Sequence, residues 1–286
     1  MGVRNVLVCG AGLMGHGIAQ VMAAAGHNVL VYEPETDRAQ AGRDLIAGNL
    51  ERAVAKGKLS SADRDVQLSR VTVARTLADA ANVELVVEAV FEDENVKADL
   101  FAELDRIAPT TCVFASNTSS ISITRLAGAV SASRRRRFVG MHFFSPVPVM
   151  PLIEMIRGDE TDDATEAYLR EIAGELGKQV IVSRDRPGFI VNRVLMPLLA
   201  EAMRGYEEGL GTAEDIDTGV RVGLNHPMGP LELADFIGLD VCLHIMEVLH
   251  DGFGQPHFEP PKVLRDLVAA GHLGQKTGKG FYSYPR

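Results

Sequence analysis

Three groups of residues in this sequence have the types and spacing to do chemistry. Near the amino terminus a strand-type run, Val6 to Cys9, enters G-x-G-x-x-G at Gly10, Gly12 and Gly15, and a helical apolar pattern (Ile18, Ala19, Val21, Met22) follows. That order is the sequence form of a strand, a phosphate-binding turn and a helix. Gly10 allows the tight turn, Gly12 lets the backbone approach a pyrophosphate, and Gly15 lets helix and strand pack closely. Leu13 and Met14 complete the turn and are assigned to the same contact surface. The free N–H groups and positive dipole end of the helix would receive the phosphates. A second apolar run, Asn28 to Tyr32, ends in Glu33, and Pro34, Glu35 and Thr36 follow with no arginine among them. A carboxylate there accepts both ribose hydroxyls of an adenosine and repels a ribose phosphate. The ligand implied is NAD rather than NADP; a glycine-rich turn with no ligand is the competing reading.

The second group is Phe114-Ala-Ser-Asn-Thr-Ser-Ser120, hydroxyls and an amide that follow a strand and lead into a helical stretch. Open α/β sheets place ligands at such carboxyl ends of strands. Helix capping accounts for one serine or threonine but not for the cluster. The third is His142 and Glu154, each in an apolar strand where an unpaired polar side chain is costly. If the two strands form a hairpin around Pro148, position 142 lies opposite 154 on one face. A carboxylate beside an imidazole fixes its tautomer and stabilises its protonated form, as a general base requires. A satisfied core histidine is the alternative. Asn192 interrupts an apolar helical face, so it is either a structural amide in a domain interface or a residue reaching a ligand across a cleft.

The elements that must position these residues follow from the pattern. Short β-branched runs at Asn5–Cys9, Asn28–Tyr32, Val71–Ala74, Leu85–Glu88, Cys112–Ser116, Phe138–Phe143, Leu152–Arg157 and Gln179–Val182 alternate with helical text, the signature of a doubly wound sheet. The stretch from Asp37 to Asp65 is too long for one crossover helix, and Lys56-Gly57-Lys58 in its middle predicts two helices as a projecting hairpin. After Arg184-Asp-Arg-Pro-Gly188 the text turns helical: Phe189–Gly209 with Ile190, Val194, Leu195, Leu198, Leu199 and Met203 on one face, then Thr212–Val222, Gly229–Leu249 and Pro260–Ala270. The expected architecture is therefore α/β, a Rossmann-type NAD-binding domain over 1–183 with a helical hairpin insertion, and an all-α domain over 184–286.

Composition sets limits. In 286 residues there is room for two domains, and a formal net charge of −9 argues against general nucleic-acid binding. The basic quartet Arg134 to Arg137 reads as a solvated turn before a strand rather than a ligand patch. No run approaches the ~20 apolar residues needed to cross a bilayer. Strand-type residues begin by Val6, leaving no room for a targeting peptide. Three scattered cysteines show no metal-type spacing, so a cytoplasmic, reducing compartment and no metal are expected.

These motifs together resemble the short, single-function 3-hydroxyacyl-CoA dehydrogenases of fatty acid metabolism, most of all the bacterial 3-hydroxybutyryl-CoA dehydrogenases. The resemblance runs through Gly-Ala-Gly-Leu-Met-Gly15, Val87-Glu-Ala-Val, Ala115-Ser-Asn-Thr-Ser-Ser, His142-Phe-Phe-Ser-Pro-Val-Pro-Val-Met, Pro187-Gly-Phe-Ile-Val-Asn-Arg, His226-Pro-Met-Gly-Pro-Leu-Glu-Leu-Ala-Asp and Lys276-Thr-Gly-Lys-Gly-Phe-Tyr. It implies a catalytic pair at His142 and Glu154 with Ser119 and Asn192 on the substrate. It places Glu33, Glu92, Lys97 and Ser119 around NAD, Lys276 near the nicotinamide half, and Lys56 near the CoA moiety. Polyanionic acyl-CoA needs such local cations on an acidic chain. Two positions depart from the family: Glu33 stands where Asp is usual, and Ser145 where Asn is usual, which leaves a contact from 145 to NAD open.

The activity implied is reversible NAD-dependent oxidation of a 3-hydroxyacyl-CoA to the 3-oxoacyl-CoA. Two other readings keep part of the evidence: a dehydrogenase of a free hydroxy acid or sugar acid, and a non-catalytic NAD-binding protein. Leu195, Leu198, Leu199, Leu231, Leu233, Phe236 and Ile237 exceed what a small helical domain buries alone, so a homodimer through that domain is expected.

Overall fold

The computed structural model describes residues 4–285. The chain divides into two compact units, Met1–Arg186 and Pro187–Arg286.

The first unit holds one eight-stranded sheet in the order β3-β2-β1-β4-β5-β6-β7-β8. Its strands are β1 (Asn5–Cys9), β2 (Asn28–Tyr32), β3 (Val71–Val73), β4 (Leu85–Glu88), β5 (Val113–Ser116), β6 (Phe138–Phe143), β7 (Leu152–Arg157) and β8 (Gln179–Arg184). Every residue of β4, β5 and β6 is buried, as continuous apolar strands covered on both faces must be. β1 to β6 run parallel through long crossovers, whereas β7 pairs antiparallel with β6 and β8 follows β7. The reversal follows from connection length, because a parallel return needs a dozen or more residues and the proline-rich link from Phe144 to Pro151 is a tight turn. β1 lies between β2 and β4, so the strand order reverses there and a crevice opens at the carboxyl ends of β1 and β4.

Helix α1 (Leu13–Ala24) follows β1, and α2 (Thr36–Ala55) and α3 (Ser61–Ser69) form the expected hairpin, turning at Gly57. Then come α4 (Glu94–Ile107), α5 (Ile123–Ala127), α6 (Ala132–Arg135) and α7 (Asp163–Glu175). The arginine quartet is only in part the solvated turn expected: Arg136 and Arg137 turn into β6, with Arg136 exposed, but the first arginine points inward. Arg134 is buried. It donates to Asp105 and to the carbonyls of Ala108, Pro109 and Cys112, and it covers the Phe114 ring at 4.5 Å. The buried carbonyls of the α4 cap and of the link to β5 recruit the guanidinium inward.

The second unit is helical: α8 (Val191–Glu207), α9 (Ala213–Thr218) continued by a π turn, α10 (Pro230–Ile237), α11 (Leu239–Phe253) and α12 (Lys262–Ala269). The expected single helix over Gly229–Leu249 is two, broken at Gly238, whose φ of 107° no helix accommodates. Two buried aspartates hold this unit's tail. Asp235 accepts from the N–H groups of Phe281 and Tyr282 and from the Tyr284 hydroxyl, and Asp217 accepts from Leu231 N, Glu232 N and the Tyr282 hydroxyl. Leu199 and Leu231 are in this unit's own core, with Leu195, Leu233 and Ile237 packed against it. The apolar text of α8 therefore splits into a buried face (Met196, Leu199, Ala200, Met203) and an exposed one (Val194, Leu198).

One buried cluster predicts the acid limb of stability. His27 is buried with its Nε2 3.3 Å from Glu175, a carboxylate that also takes Arg4. Burial holds the His27 pKa below its usual value despite Glu175, and Arg4 holds Glu175 below the usual carboxylate range. Both folded-state values lie below the unfolded ones, so the folded state binds fewer protons as pH falls, first from about 6.5 and then through about 4.3. Thermal melts should show Tm falling from pH 7.5 to pH 5.5, with His27→Gln flattening that limb. An unchanged Tm over this range in the wild type would contradict the assignment.

Candidate functional site

The glycine turn has the geometry expected of a dinucleotide cradle. Gly10 has φ 99°, and a Cβ there would lie 2.3 Å from the Ala89 carbonyl. A Cβ on Gly15 would lie 1.9 Å from the Gly10 carbonyl, so helix and strand touch only because the position is bare. A Cβ on Gly12 would meet nothing, leaving space over the start of α1, whose first turn carries no acidic residue. Leu13 is exposed beside it and Met14 half-buried. Glu33, just past β2, accepts from Ala11 N at 2.9 Å, which ties the ribose-side carboxylate to the turn. Although no arginine follows Glu33 directly, Arg38 at the start of α2 brings its guanidinium to 4.0 Å from Glu33 and 3.7 Å from Glu35. An open backbone cradle, a helix N-terminus and a ribose-level carboxylate fit NAD; bound there, it would supply a hydride acceptor.

At the same edge of the sheet β4 ends in Glu88, in register with Cys9 of β1 and Ser116 of β5. Glu88 is fully buried. It accepts from Lys97 Nζ at 2.5 Å, Ser116 Oγ at 2.6 Å and Val90 N at 2.8 Å. Lys97 projects from the first turn of α4, which Asp93 caps, and its Nζ also lies 3.2 Å from Glu92. Glu92 accepts from Thr118 Oγ1, Ser119 N, Ser120 Oγ and Ser119 Oγ at 2.6 to 3.3 Å. Burial pushes Glu88 above the usual carboxylate range even though Lys97 opposes it. Burial pushes Glu92 up as well, but Lys97 and the Thr118 and Ser119 donors outweigh it and leave its pKa low. The loop after β5 is thus held by a carboxylate, and Ser119, Glu92 and Lys97 are in one place.

The hairpin register predicted from the sequence is the one observed: His142 pairs with Glu154 across β6 and β7. His142 Nδ1 is 3.0 Å from Glu154 Oε2, with Glu154 fully buried and His142 nearly so. With Glu154 as acceptor, Nδ1–H donates and the lone pair is on Nε2, the tautomer a base needs. The next residue ties this strand to the serine loop, since Phe143 N donates to Asn117 Oδ1 at 2.8 Å. Ser145, at the exposed start of the turn, precedes Pro146 through a cis peptide bond.

The remaining predicted residues lie on other elements. Lys56 is exposed at the carboxyl end of α2, in the hairpin turn. In the second unit Asn192 is buried in the first turn of α8, and Lys276 donates to both Asp240 oxygens at 2.5 and 2.7 Å. Sequence reasoning missed Glu88 as a site builder, and gave Asn117 and Thr118 only as members of the hydroxyl and amide cluster after β5. A signal existed for Glu88: a carboxylate closing the apolar run Leu85-Val-Val on the strand beside the glycine turn. Among the described residues no cluster of His, Cys, Asp or Glu could hold a metal ion, and no helix is long and apolar enough to cross a membrane.

Two family models cover the chain: 3-hydroxyacyl-CoA dehydrogenase, NAD binding domain, over residues 5–186, and the C-terminal domain of the same family over 188–284. A 3-hydroxybutyryl-CoA dehydrogenase of Bradyrhizobium diazoefficiens is 49% identical over 282 residues, 99% of this chain and 96% of that protein. The human mitochondrial hydroxyacyl-coenzyme A dehydrogenase is 45% identical over 291 residues, 99% of this chain and 91% of the human protein. Among solved structures, (S)-3-hydroxybutyryl-CoA dehydrogenase from Ralstonia eutropha matches with a TM-score of 0.96 and 44% identity over 100% of both chains. With the glycine turn, the buried His–Glu pair and these end-to-end matches in hand, the chain belongs to the 3-hydroxyacyl-CoA dehydrogenase family, NAD-dependent oxidoreductases.

Proposed function

We propose that this protein oxidises (S)-3-hydroxybutyryl-CoA, or a 3-hydroxyacyl-CoA of similar length, to the 3-oxoacyl-CoA, reversibly. The observation that carries the chemistry is the buried His142–Glu154 pair. The short chain rests on what the bacterial relatives are named for. NAD, held at the glycine turn, would supply the acceptor for the hydride that leaves the carbinol carbon. His142 Nε2 takes the proton of the 3-hydroxyl, and Glu154 stabilises the imidazolium so formed. In the reverse direction imidazolium His142 returns that proton to the forming alkoxide. Ser119 and Asn192 are proposed to orient the hydroxyl and thioester, which is positioning rather than covalent catalysis. Lys276, paired with Asp240, keeps its proposed place near the nicotinamide half, and exposed Lys56 its place near CoA. The proposed setting is cytoplasmic.

The assembly proposed is a homodimer through the second unit, keeping Leu198 and Phe236 of the residues the sequence picked out and adding other exposed apolar side chains. Val194 and Leu198 are one turn apart on α8 and exposed, as are Phe236, Val241, Val222 and Leu224. Apolar patches of this kind mark partner surfaces, and a two-fold self-contact is the commonest arrangement. Light scattering at micromolar concentration should give twice the chain mass of 30.8 kDa, and Val194→Glu with Leu198→Glu should return it to monomer. A wild-type mass near the single chain would refute the dimer.

The direct test is oxidation of NADH with acetoacetyl-CoA. Turnover supports the proposal; turnover on free 3-oxo acids with none on the thioester would move it to the hydroxy-acid class, and NADH binding without turnover to a binding protein. His142→Ala should lower turnover by ~10²–10⁴-fold with NAD affinity nearly unchanged, and Glu154→Gln should also lower it, since a neutral amide cannot stabilise the imidazolium. A His142→Ala enzyme near wild-type turnover would remove the histidine from the mechanism.

Cofactor preference follows from Glu33 and Arg38. NAD should be used at least about tenfold more efficiently than NADP, a margin of ~1.4 kcal/mol. Glu33→Ser should narrow the margin, because it removes the repelling charge and releases Arg38 toward a ribose phosphate. Equal efficiency in the wild type would contradict the assignment.

A further inference from the structure

The link between β6 and β7, from Phe144 to Pro151, is held by a lysine that no step of the proposed reaction uses. Lys178 follows Gly177, whose φ of 66° ends α7, and immediately precedes β8. Its Nζ donates to the carbonyls of Val147 at 2.7 Å and Met150 at 2.6 Å. The side chain is half-buried, and among the described residues no carboxylate pairs with it. Burial alone sets its pKa below the usual lysine value. A lysine that served only solubility would keep its ammonium in water. This one gives up part of its hydration for two backbone carbonyls.

A second contact seats the link on α1. Val147 is buried in the main core, and a Cβ on Gly17 would lie 2.9 Å from Val147 Cβ, so helix and link touch only because position 17 is bare. Inside the link, Val149 N and Met150 N both donate to the Pro146 carbonyl, at 2.9 and 3.0 Å. Its first residue, Phe144, packs its ring against the His142 imidazole, with centroids 4.6 Å apart and planes at 50°. The Glu154 bond fixes one atom of that imidazole, and the phenyl ring limits how the plane tilts about it. We infer that Lys178 is a positioning residue for His142: it clamps the link onto α1, and the clamped link holds Phe144 against the imidazole. The inference rests on the dehydrogenase reading above. Because α1 begins at the glycine turn, the clamp also ties the cofactor-side helix to the strand end that presents the base.

The test uses Lys178→Met, Lys178→Arg, Phe144→Leu and the double variant of Lys178→Met with Phe144→Leu. Each is read by kcat with acetoacetyl-CoA, by the NADH dissociation constant, and by the His142 ring-proton NMR signals of histidine-labelled enzyme without substrate. Lys178→Met should lower kcat at least about tenfold, since misplacing a catalytic group by ~1 Å costs up to ~100-fold, with the NADH constant within about threefold. Lys178→Arg should return kcat to within about threefold of wild type, because a guanidinium still donates to both carbonyls. The His142 signals carry the ring current of Phe144, so in Lys178→Met they should move toward their positions in Phe144→Leu. The double variant should be little slower than the slower single one, since both act along one path. A Lys178→Met enzyme within about twofold of wild-type kcat, unmoved His142 signals, losses that multiply, or an NADH constant that weakens as much as kcat falls would each overturn the clamp. Should Lys178→Met not fold, Phe144→Leu decides, because turnover there within about twofold of wild type would leave the clamp nothing to act through. A wild type inactive on every 3-hydroxyacyl-CoA would instead remove the dehydrogenase reading, and the His142 signals, read without substrate, would judge the clamp.

Discussion

Everything at the candidate site depends on placing charge at the edge of a dry sheet. Glu88 ends the otherwise apolar strand β4, Glu154 sits among apolar neighbours in β7, and both are fully buried. An ionisable group in such a place needs partners with good geometry or it neutralises. Each carboxylate finds a cationic or cation-forming partner from a neighbouring element: Lys97 from the helix after β4, His142 from the strand opposite. The connections between elements are therefore not free to vary. The antiparallel return of β7, the short link after β4 and the cap on α4 are what bring those partners within hydrogen-bonding distance.

The same constraint explains which parts of the site were legible. The glycine turn is read directly because its requirements are backbone requirements, and the steric contacts at Gly10 and Gly15 show them. The His142–Glu154 pairing is legible because strand register is periodic, and a two-residue period with a turn at its centre fixes who faces whom. The Glu88–Lys97–Glu92 chain is not periodic. It joins a strand end, a loop and a helix face, so nothing in local spacing announces that Glu92 gathers three successive hydroxyl residues. Arg134 fails for the same reason, since its acceptors are Asp105 and the carbonyls of the link from α4 to β5, more than twenty residues earlier.

Beyond residue 187 the helical text was legible as helix but not as surface or core. Leu199 and Leu231 looked available and are interior, while Val194 and Leu198 on the same helix point outward. A helical domain this small buries its apolar residues in several narrow stripes rather than one broad face, and the stripe assignment depends on crossing helices that periodicity does not specify. Asp217 and Asp235 add a second hidden element, since each replaces the apolar filling of a corner with a carboxylate satisfied by three donors, two of them backbone N–H groups. Their bonds join α10 to the tail strand-like segment around Tyr282.

In the proposed reaction Glu154 works through His142 and not on its own. Single-turnover rates of hydride transfer in His142→Ala, Glu154→Gln and the double variant test it most directly, because residues acting as one unit are non-additive. The account predicts that the double variant is as slow as His142→Ala and no slower. Losses that multiply, with the double variant slower by the product of the two single effects, would contradict it.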